Sequence, residues 1–350
     1  MIISEYDYPE IMSLGTRSGL TLFNDFIITH TLFGLSRLGF FEFIETHSWF
    51  TLDELNQVLN APVANLRAVL RYLVRMEVIH REGNCFFVDE QLFTCLKREL
   101  GFLQWLVGGY QSVLVDSADL IRGTRVFGQN TYRNNHWMAW GSANISKVYT
   151  DPLMYELLQR VDVEVIGDIG CGSGLRLVAI CRQLPSVRGL GIDISPTCCE
   201  LARYNIATAG LSDRIDVIEA EAESWVKQER YRLDCIGAQR TKPADVLMCF
   251  AMFHDLLNYD GKAERFLAEV REGLGSGGYL MIQDQCQSNV DDRHPHQSWT
   301  DGFELLHHYM NQRLFPKDHY ERLFEQAGFR IVERIESDIP ANWLYLLQVI

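Results

Sequence analysis

Three short stretches carry side chains that can do chemistry. "DIGCGSG", Asp168 to Gly174, sets glycines at alternate positions between the apolar run "VEVI" and the helical-period stretch "LRLVAICRQL". Glycines there let a ligand approach the backbone at a helix N-terminus. "FAMFHDLLN" sets His254 beside Asp255, and "GFELLHHYM" holds His307 and His308 on a predicted helix. A histidine can be the general base for a substrate hydroxyl, with the neighbouring carboxylate orienting it or capping a helix. Two histidines and one carboxylate with open coordination positions instead form the facial arrangement of non-haem iron. The residues alone leave both readings open. His294 and His296, in "DDRHPHQSW", read as solvated loop.

Two further acids fall where a nucleoside would need them. Asp193, in "GLGIDIS", lies 193 − 168 = 25 residues after Asp168, where an acidic side chain can take both ribose hydroxyls of an adenosine. Glu221, in "VIEAEAES", ends the third predicted strand, placed to accept from an adenine amino group or to face solvent.

These residues need a scaffold, and from about residue 163 the pattern supplies one. "VEVIGDI", "RGLGIDI", "RIDVIEA", "ADVLMCF", "GGYLMIQD", "FRIVERIES" and "NWLYLLQVI" read as strands, mostly separated by amphipathic helices. That alternation implies a doubly wound parallel sheet. The last two strands have no helix between them, so they should pair antiparallel at the sheet edge. In such a sheet a ligand sits beyond the carboxyl ends of the strands, where the strand order reverses.

The first hundred residues are helical, then briefly extended. "GLTLFNDFIITHTLFGLSRLGFFEFI" is apolar around much of its circumference, as expected of a helix buried between partners or subunits. "TLDELNQVLN" opens with Thr51 and has Glu54 three residues on, a capping box. "PVANLRAVLRYLVRMEVIHREG" and the hairpin-like "NCFFVDEQL" complete a helix, turn, helix and small wing. DNA binding is disfavoured: the formal net charge is −14, and Arg67, Arg71 and Arg75 make only one short stripe. Dimerisation is the expected use. Residues 101–160 are helical and aromatic-rich, a linker or lid between domain 1–100 and domain 161–350. The nine scattered cysteines include no C-x-x-C pair and read as reduced thiols. With no cleavable apolar leader in "MIISEYDYPE" and no apolar stretch of about 20 residues, a cytoplasmic protein away from membranes is expected.

A nicotinamide dinucleotide would prefer G-x-G-x-x-G, whereas this turn is G-x-G-x-G preceded by an acid. "VIGDIGCGSG", "GLGIDIS", "IEAEAES" and "ADVLMCFAMFHD" together resemble the ordered motifs of class I S-adenosylmethionine-dependent methyltransferases. The resemblance implies an α/β fold: a seven-stranded, Rossmann-like methyltransferase sheet behind a winged-helix N-terminal domain, as in the small-molecule O-methyltransferase superfamily. It implies that Gly170, Gly172 and Gly174 line the methionine part of the cofactor, with Asp168 beneath. Asp193 would bind the ribose, with Ile194 beside it, and Glu221 with Ala222 would border the adenine. Phe250 would close the cofactor site at the fourth strand.

A closer resemblance rests on "RLVAICRQLPSVRGLGIDIS", "ADVLMCFAMFHD" and "GFELLHHYM". These look like the metal-dependent 2-oxo acid C-methyltransferases, which act on phenylpyruvate and similar keto acids on the way to β-methyl amino acids of peptide natural products. The resemblance implies a divalent metal, iron or zinc, on His254, Asp255 and, by the run of "GFE", His307. Arg133 in "TYRNNHW" would hold the substrate carboxylate. The runner-up is a metal-free O-methyltransferase with His254 as general base, and a third reading is a cofactor-binding regulator without turnover. Trp137, Trp140, Phe250 and Phe253 can line a substrate pocket or pack in the core. Glu304 can meet a cationic substrate or cap a helix.

Overall fold

The computed structural model describes residues 13–14, 17–226, 244–288 and 297–350. The chain divides into two compact units, Met1–Gly108 and Gly109–Ile350. His294 and His296 lie outside the described residues.

In the first unit the apolar segment forms two helices, Gly19–Ser36 and Phe40–Thr46, bent by 75° about Gly39, whose φ of +82° only glycine adopts readily. No single described helix is long and apolar enough to cross a membrane. Thr51 and Glu54 close the capping box of helix Leu52–Leu59, which is followed by helix Val63–Arg75. Strands Trp49–Thr51, Cys85–Phe87 and His80–Glu82 form a small antiparallel sheet in that spatial order. Phe40, Phe50, Leu55, Leu70 and Leu73 fill the core of this unit, while Leu20, Phe23 and Phe26 of the first helix stay exposed.

The second unit begins with helices, among them Asn135–Tyr149 and Asp151–Leu158, and continues into the large sheet. Its strands are β1 (Val165–Ile169), β2 (Arg188–Asp193), β3 (Ile215–Glu219), β4 (Val246–Phe250), β5 (Tyr279–Gln285), β6 (Phe329–Glu336) and β7 (Asn342–Val349). All seven expected strands are present, in the order β6-β7-β5-β4-β1-β2-β3. β1 to β5 run parallel, and β7 lies antiparallel between β5 and β6. β1 and β4 are buried throughout, as continuous apolar runs covered on both faces should be. β6 alternates exposed and less exposed positions along its length and carries four charged residues, as an edge strand should.

The order reverses between β1 and β4, so the carboxyl ends of β1, β2, β4 and β5 surround one crevice. The chemistry-bearing residues sit there. Asp168 is on β1, Asp193 ends β2, and His254 and Asp255 follow β4 on the short helix Phe253–Leu256. His307 comes from the helix Gln297–Tyr309, inserted between β5 and β6.

Gly174 caps helix Leu175–Gln183 with φ +70°, and a Cβ there would stand 2.9 Å from Cβ of Ala202. Gly174→Ala should therefore combine left-handed strain of roughly 1–2 kcal/mol with overpacking of about 1–3 kcal/mol. Urea unfolding should show a clearly lower midpoint; an unchanged midpoint would mean that the turn relaxes freely.

Candidate active site

The glycine turn is held before any ligand arrives. After β1 ends, Gly170, Gly172 and Gly174 all have positive φ, and the Gly170 and Cys171 N–H groups donate to the Ile192 carbonyl at 2.7 and 3.1 Å. Asp193 ties β2 to the same turn. Its Oδ2 accepts from the Gly172 N–H at 2.9 Å and its Oδ1 from the Ser195 N–H at 2.8 Å. Burial nevertheless raises its pKa against those backbone donors. Ile194 is exposed, Glu221 is exposed just beyond β3, and Ala222 beside it is half-buried.

Beneath the turn lies a charge network that sequence reading missed. Asp168 is fully buried, and the Arg176 guanidinium reaches it at 3.3 Å, Asp151 at 3.5 Å and the Ser146 hydroxyl at 3.0 Å. The same guanidinium lies 4.3 Å from the ring centre of Phe250, which is buried at the end of β4. Burial pushes the Asp168 carboxyl up to about 6, against the pull of Arg176. A basic residue two positions after the last glycine, in the first turn of the helix, was the available signal for Arg176. Asp151, on an earlier helix, had none.

At the end of β4 the geometry tightens. Ala251 has φ +52°, and its N–H donates to the Gln283 carbonyl at 2.8 Å, turning the chain sharply out of the strand. Phe253 is fully buried against Phe266, Tyr320 and Phe324, so it anchors this turn in the core and lines no pocket. His254 is then held by Asp284 near the end of β5. One carboxylate oxygen accepts the His254 backbone N–H at 2.6 Å and the other lies 2.5 Å from Nδ1. An ionised carboxylate only accepts, so Nδ1 carries the proton and Nε2 faces the crevice.

His307 is prepared in the same way. Its Nδ1 lies 2.8 Å from the Phe303 carbonyl, which also only accepts, leaving Nε2 free to turn inward. The two Nε2 atoms stand 3.2 Å apart, and Asp255 Oδ1 is 3.7 Å from that of His254. Taking one ligand atom from each residue, all three lie within 4.8 Å of one another. His308 is exposed, on the other side of the helix. The other Asp255 oxygen pairs with Arg133 at 3.2 Å, so Arg133 does reach this cluster, and Gln312 Nε2 donates to Oδ1 at 2.8 Å. Glu304 accepts from the Ser288 backbone N–H, and Trp137 and Trp140 are half-buried on the helix Asn135–Tyr149.

The electrostatics follow. Burial works against a charge on His254, but Asp284 and Asp255 outweigh it and raise its pKa. Burial and the neighbouring His254 push His307 down to about 3. Burial would raise Asp255, yet Arg133, His254 and His307 hold it below the usual carboxylate range. The cluster is thus built to hold one positive charge between two imidazole nitrogens, as a shared proton or as a cation. The donor set fits a divalent metal. Nitrogens that each bind an ion at about 2.1 Å can stand at most about 4.2 Å apart, and each ligand imidazole donates its second N–H to an acceptor, as metal-binding histidines do. The spacing of 3.2 Å meets that limit.

Replacing Arg176 tests the network under the turn. Arg176→Met leaves Asp168 and Asp151 buried without their cation, which should cost about 3–5 kcal/mol at pH 8. Carboxyl groups whose folded-state pKa lies above the unfolded value destabilise the protein above that folded pKa, and the penalty disappears as pH falls below it. The deficit against the wild type should therefore shrink between pH 8 and pH 5 in denaturant titrations; a pH-independent deficit would contradict the charge account.

A family model described as a methyltransferase domain matches residues 144–334, more than half of the chain. A methyltransferase of Aspergillus campestris, ungE', is 25% identical over 285 residues, covering 78% of this chain and 80% of that one. The indolepyruvate C-methyltransferase of Streptomyces griseus is 27% identical over 252 residues, covering 71% and 69%. The fold also matches the structure of human N-acetylserotonin methyltransferase in complex with S-adenosylmethionine, with a TM-score of 0.65 at 16% identity, over 97% of this chain and 99% of that one. The chain therefore belongs to the methyltransferase-domain family and is an S-adenosylmethionine-dependent methyltransferase.

Proposed function

We propose that this methyltransferase transfers its methyl group to the carbon next to the keto group of a 2-oxo acid, in the biosynthesis of β-methyl amino acids for peptide natural products. The observation that carries the reading is the convergence of two inward Nε2 atoms and one carboxylate at the end of β4. The similarity to an indolepyruvate C-methyltransferase supports the substrate class. His254 Nε2, His307 Nε2 and Asp255 Oδ1 would hold a divalent ion, iron or zinc. Such an ion supplies Lewis acidity that a chelating 2-oxo acid can use to make its adjacent C–H more acidic.

The chain's own residues do the rest. Arg133, with a guanidinium of five N–H donors, can keep Asp255 on one edge and take the substrate carboxylate on another. Gly170, Gly172 and Gly174 leave room for the methionine part of the cofactor, and Asp193 turns from the Gly172 N–H to the ribose hydroxyls. Glu221, Ala222 and Ile194 border the adenosine, while Phe250 backs the site from the end of β4. The C–H proton passes to a water or hydroxide of the solvent, the carbon's electron pair takes the methyl group, and the sulfur leaves with its bonding electrons as a neutral thioether. No oxidant enters, and holding carbon and methyl in line supplies much of the acceleration.

A second reading draws on the 2.5 Å contact between Asp284 and His254. A histidine oriented by a carboxylate is also a general base, so a metal-free O-methyltransferase would use the same pair. For assembly, we propose a homodimer that buries the exposed Leu20, Phe23 and Phe26 of the first helix. Light scattering at micromolar concentration should give twice the chain mass, and a monomer would refute it.

Asp193→Ala should weaken S-adenosylmethionine binding by about 1.5–3 kcal/mol through lost charge-assisted bonds to the ribose. Calorimetry on the folded variant checks this, and an unchanged affinity removes Asp193 from the site. The chemistry is tested by supplying aromatic, aliphatic and guanidino 2-oxo acids and locating the new methyl group by NMR. It should appear on carbon. Chelation, His254→Ala, Asp255→Ala and His307→Ala should each abolish turnover, while His308→Ala should not. Full activity in metal-free protein with an O-methyl product would establish the second reading instead.

A further inference from the structure

We propose that Gln312 is a positioning residue of the divalent-ion site: its amide N–H clamps Oδ1 of Asp255, the oxygen turned toward His254, in the orientation needed to bind an ion. The inference rests on the metal reading above and assigns a residue to it that the sequence motifs do not contain.

Asp255 is held at both oxygens, by Gln312 Nε2 at Oδ1 and by Arg133 at Oδ2, so its carboxylate plane is fixed before an ion arrives. Because a carboxylate accepts and does not donate, the amide must present its NH2 there, which settles where the Gln312 carbonyl goes. That oxygen is buried, with no hydrogen-bond partner among the described residues, on a residue only 7% exposed. A buried acceptor left without a donor bears its full desolvation cost. Its retention beside this cluster is explained if the loaded site provides the donor.

The backbone delivers Gln312 deliberately. The helix that carries His307 ends in a reversal at Asn311, whose φ is +56°. The Gln312 N–H then donates back to the His307 carbonyl at 2.8 Å, and the Asn311 N–H to that of His308 at 3.0 Å. Asn258 staples this reversal to the other side of the site. Its Nδ2 donates to the carbonyls of His254 and Arg313, each at 2.9 Å, and its Oδ1 accepts the Arg313 N–H at 2.7 Å. One helix end therefore brings both His307 and Gln312 to the turn that holds His254 and Asp255. Partners that orient a ligand from behind typically change metal affinity 10–100-fold when removed.

The test titrates the full chain, freed of metal, with zinc ion alone, and measures S-adenosylmethionine affinity and the thermal midpoint beside it. Gln312→Met, of similar shape but without either polar group, should weaken zinc binding roughly 10–100-fold with the other two readouts unchanged. Gln312→Leu, read the same way, guards against misfolding of the first variant. Unchanged zinc affinity in a folded variant overturns the inference and leaves the ion site standing. A parallel fall in zinc affinity, cofactor affinity and midpoint also overturns it, because Gln312 would then only support the fold. Failure of the wild-type chain to bind zinc overturns both this inference and the metal reading.

Discussion

Two buried imidazoles whose Nε2 atoms stand 3.2 Å apart cannot both present bare lone pairs to each other. Something positive must lie between them, and the surrounding structure serves that requirement. Asp284 and the Phe303 carbonyl take the two outer Nδ1–H groups, so neither ring can turn away without stranding a buried donor. Asp284 is itself placed by β7, which enters antiparallel between β5 and β6 and pairs Asp284 with Trp343. A buried amide chain then locks this strand end. Gln283 donates to Asn342, Asn342 to Gln285, and Gln285 to the Pro340 carbonyl. The histidine pair thus depends on a strand far from it in sequence.

The cofactor side is governed by the same physics with opposite charge. There the buried groups are carboxylates, and Arg176 is the cation that Asp168 and Asp151 share. Its guanidinium also lies over Phe250, so the charge network and the floor of the crevice are one packed unit. Helix Asn135–Tyr149 joins that unit twice, through Ser146 on Arg176 and through Ala139, which a Cβ on Gly172 would meet at 3.4 Å. A Cβ at 172 would only touch Ala139 at ordinary van der Waals distance, so it is the positive φ that favours glycine there.

What was legible in the sequence was what is local. The strands announce themselves as apolar runs bounded by turn residues, and the glycines by their spacing at a strand end. His254 and Asp255 were legible because they follow β4, where the fold puts its ligands. His307 needed the "GFE" resemblance, since adjacent histidines on a helix do not show which one faces inward; the helix buries His307 and exposes His308. Asp284 was read as the end of a strand and no more, because its partner lies 30 residues away. Asp151 and Gln312 were invisible for the same reason, each acquiring a role only when distant segments meet, while Arg176 offered no more than its place just after the glycines. Phe253 shows the opposite case: an aromatic residue beside the site whose ring belongs wholly to the core.

We propose that the charge between the two imidazoles is a metal ion held by His254, His307 and Asp255. Anomalous diffraction from crystals grown with zinc or iron, recorded at the metal's absorption edge, tests it most directly. A single strong peak is expected about 2.1 Å from both Nε2 atoms and adjacent to Asp255. Ion-saturated crystals with no peak at this position, the two rings still facing each other at 3.2 Å, would contradict it.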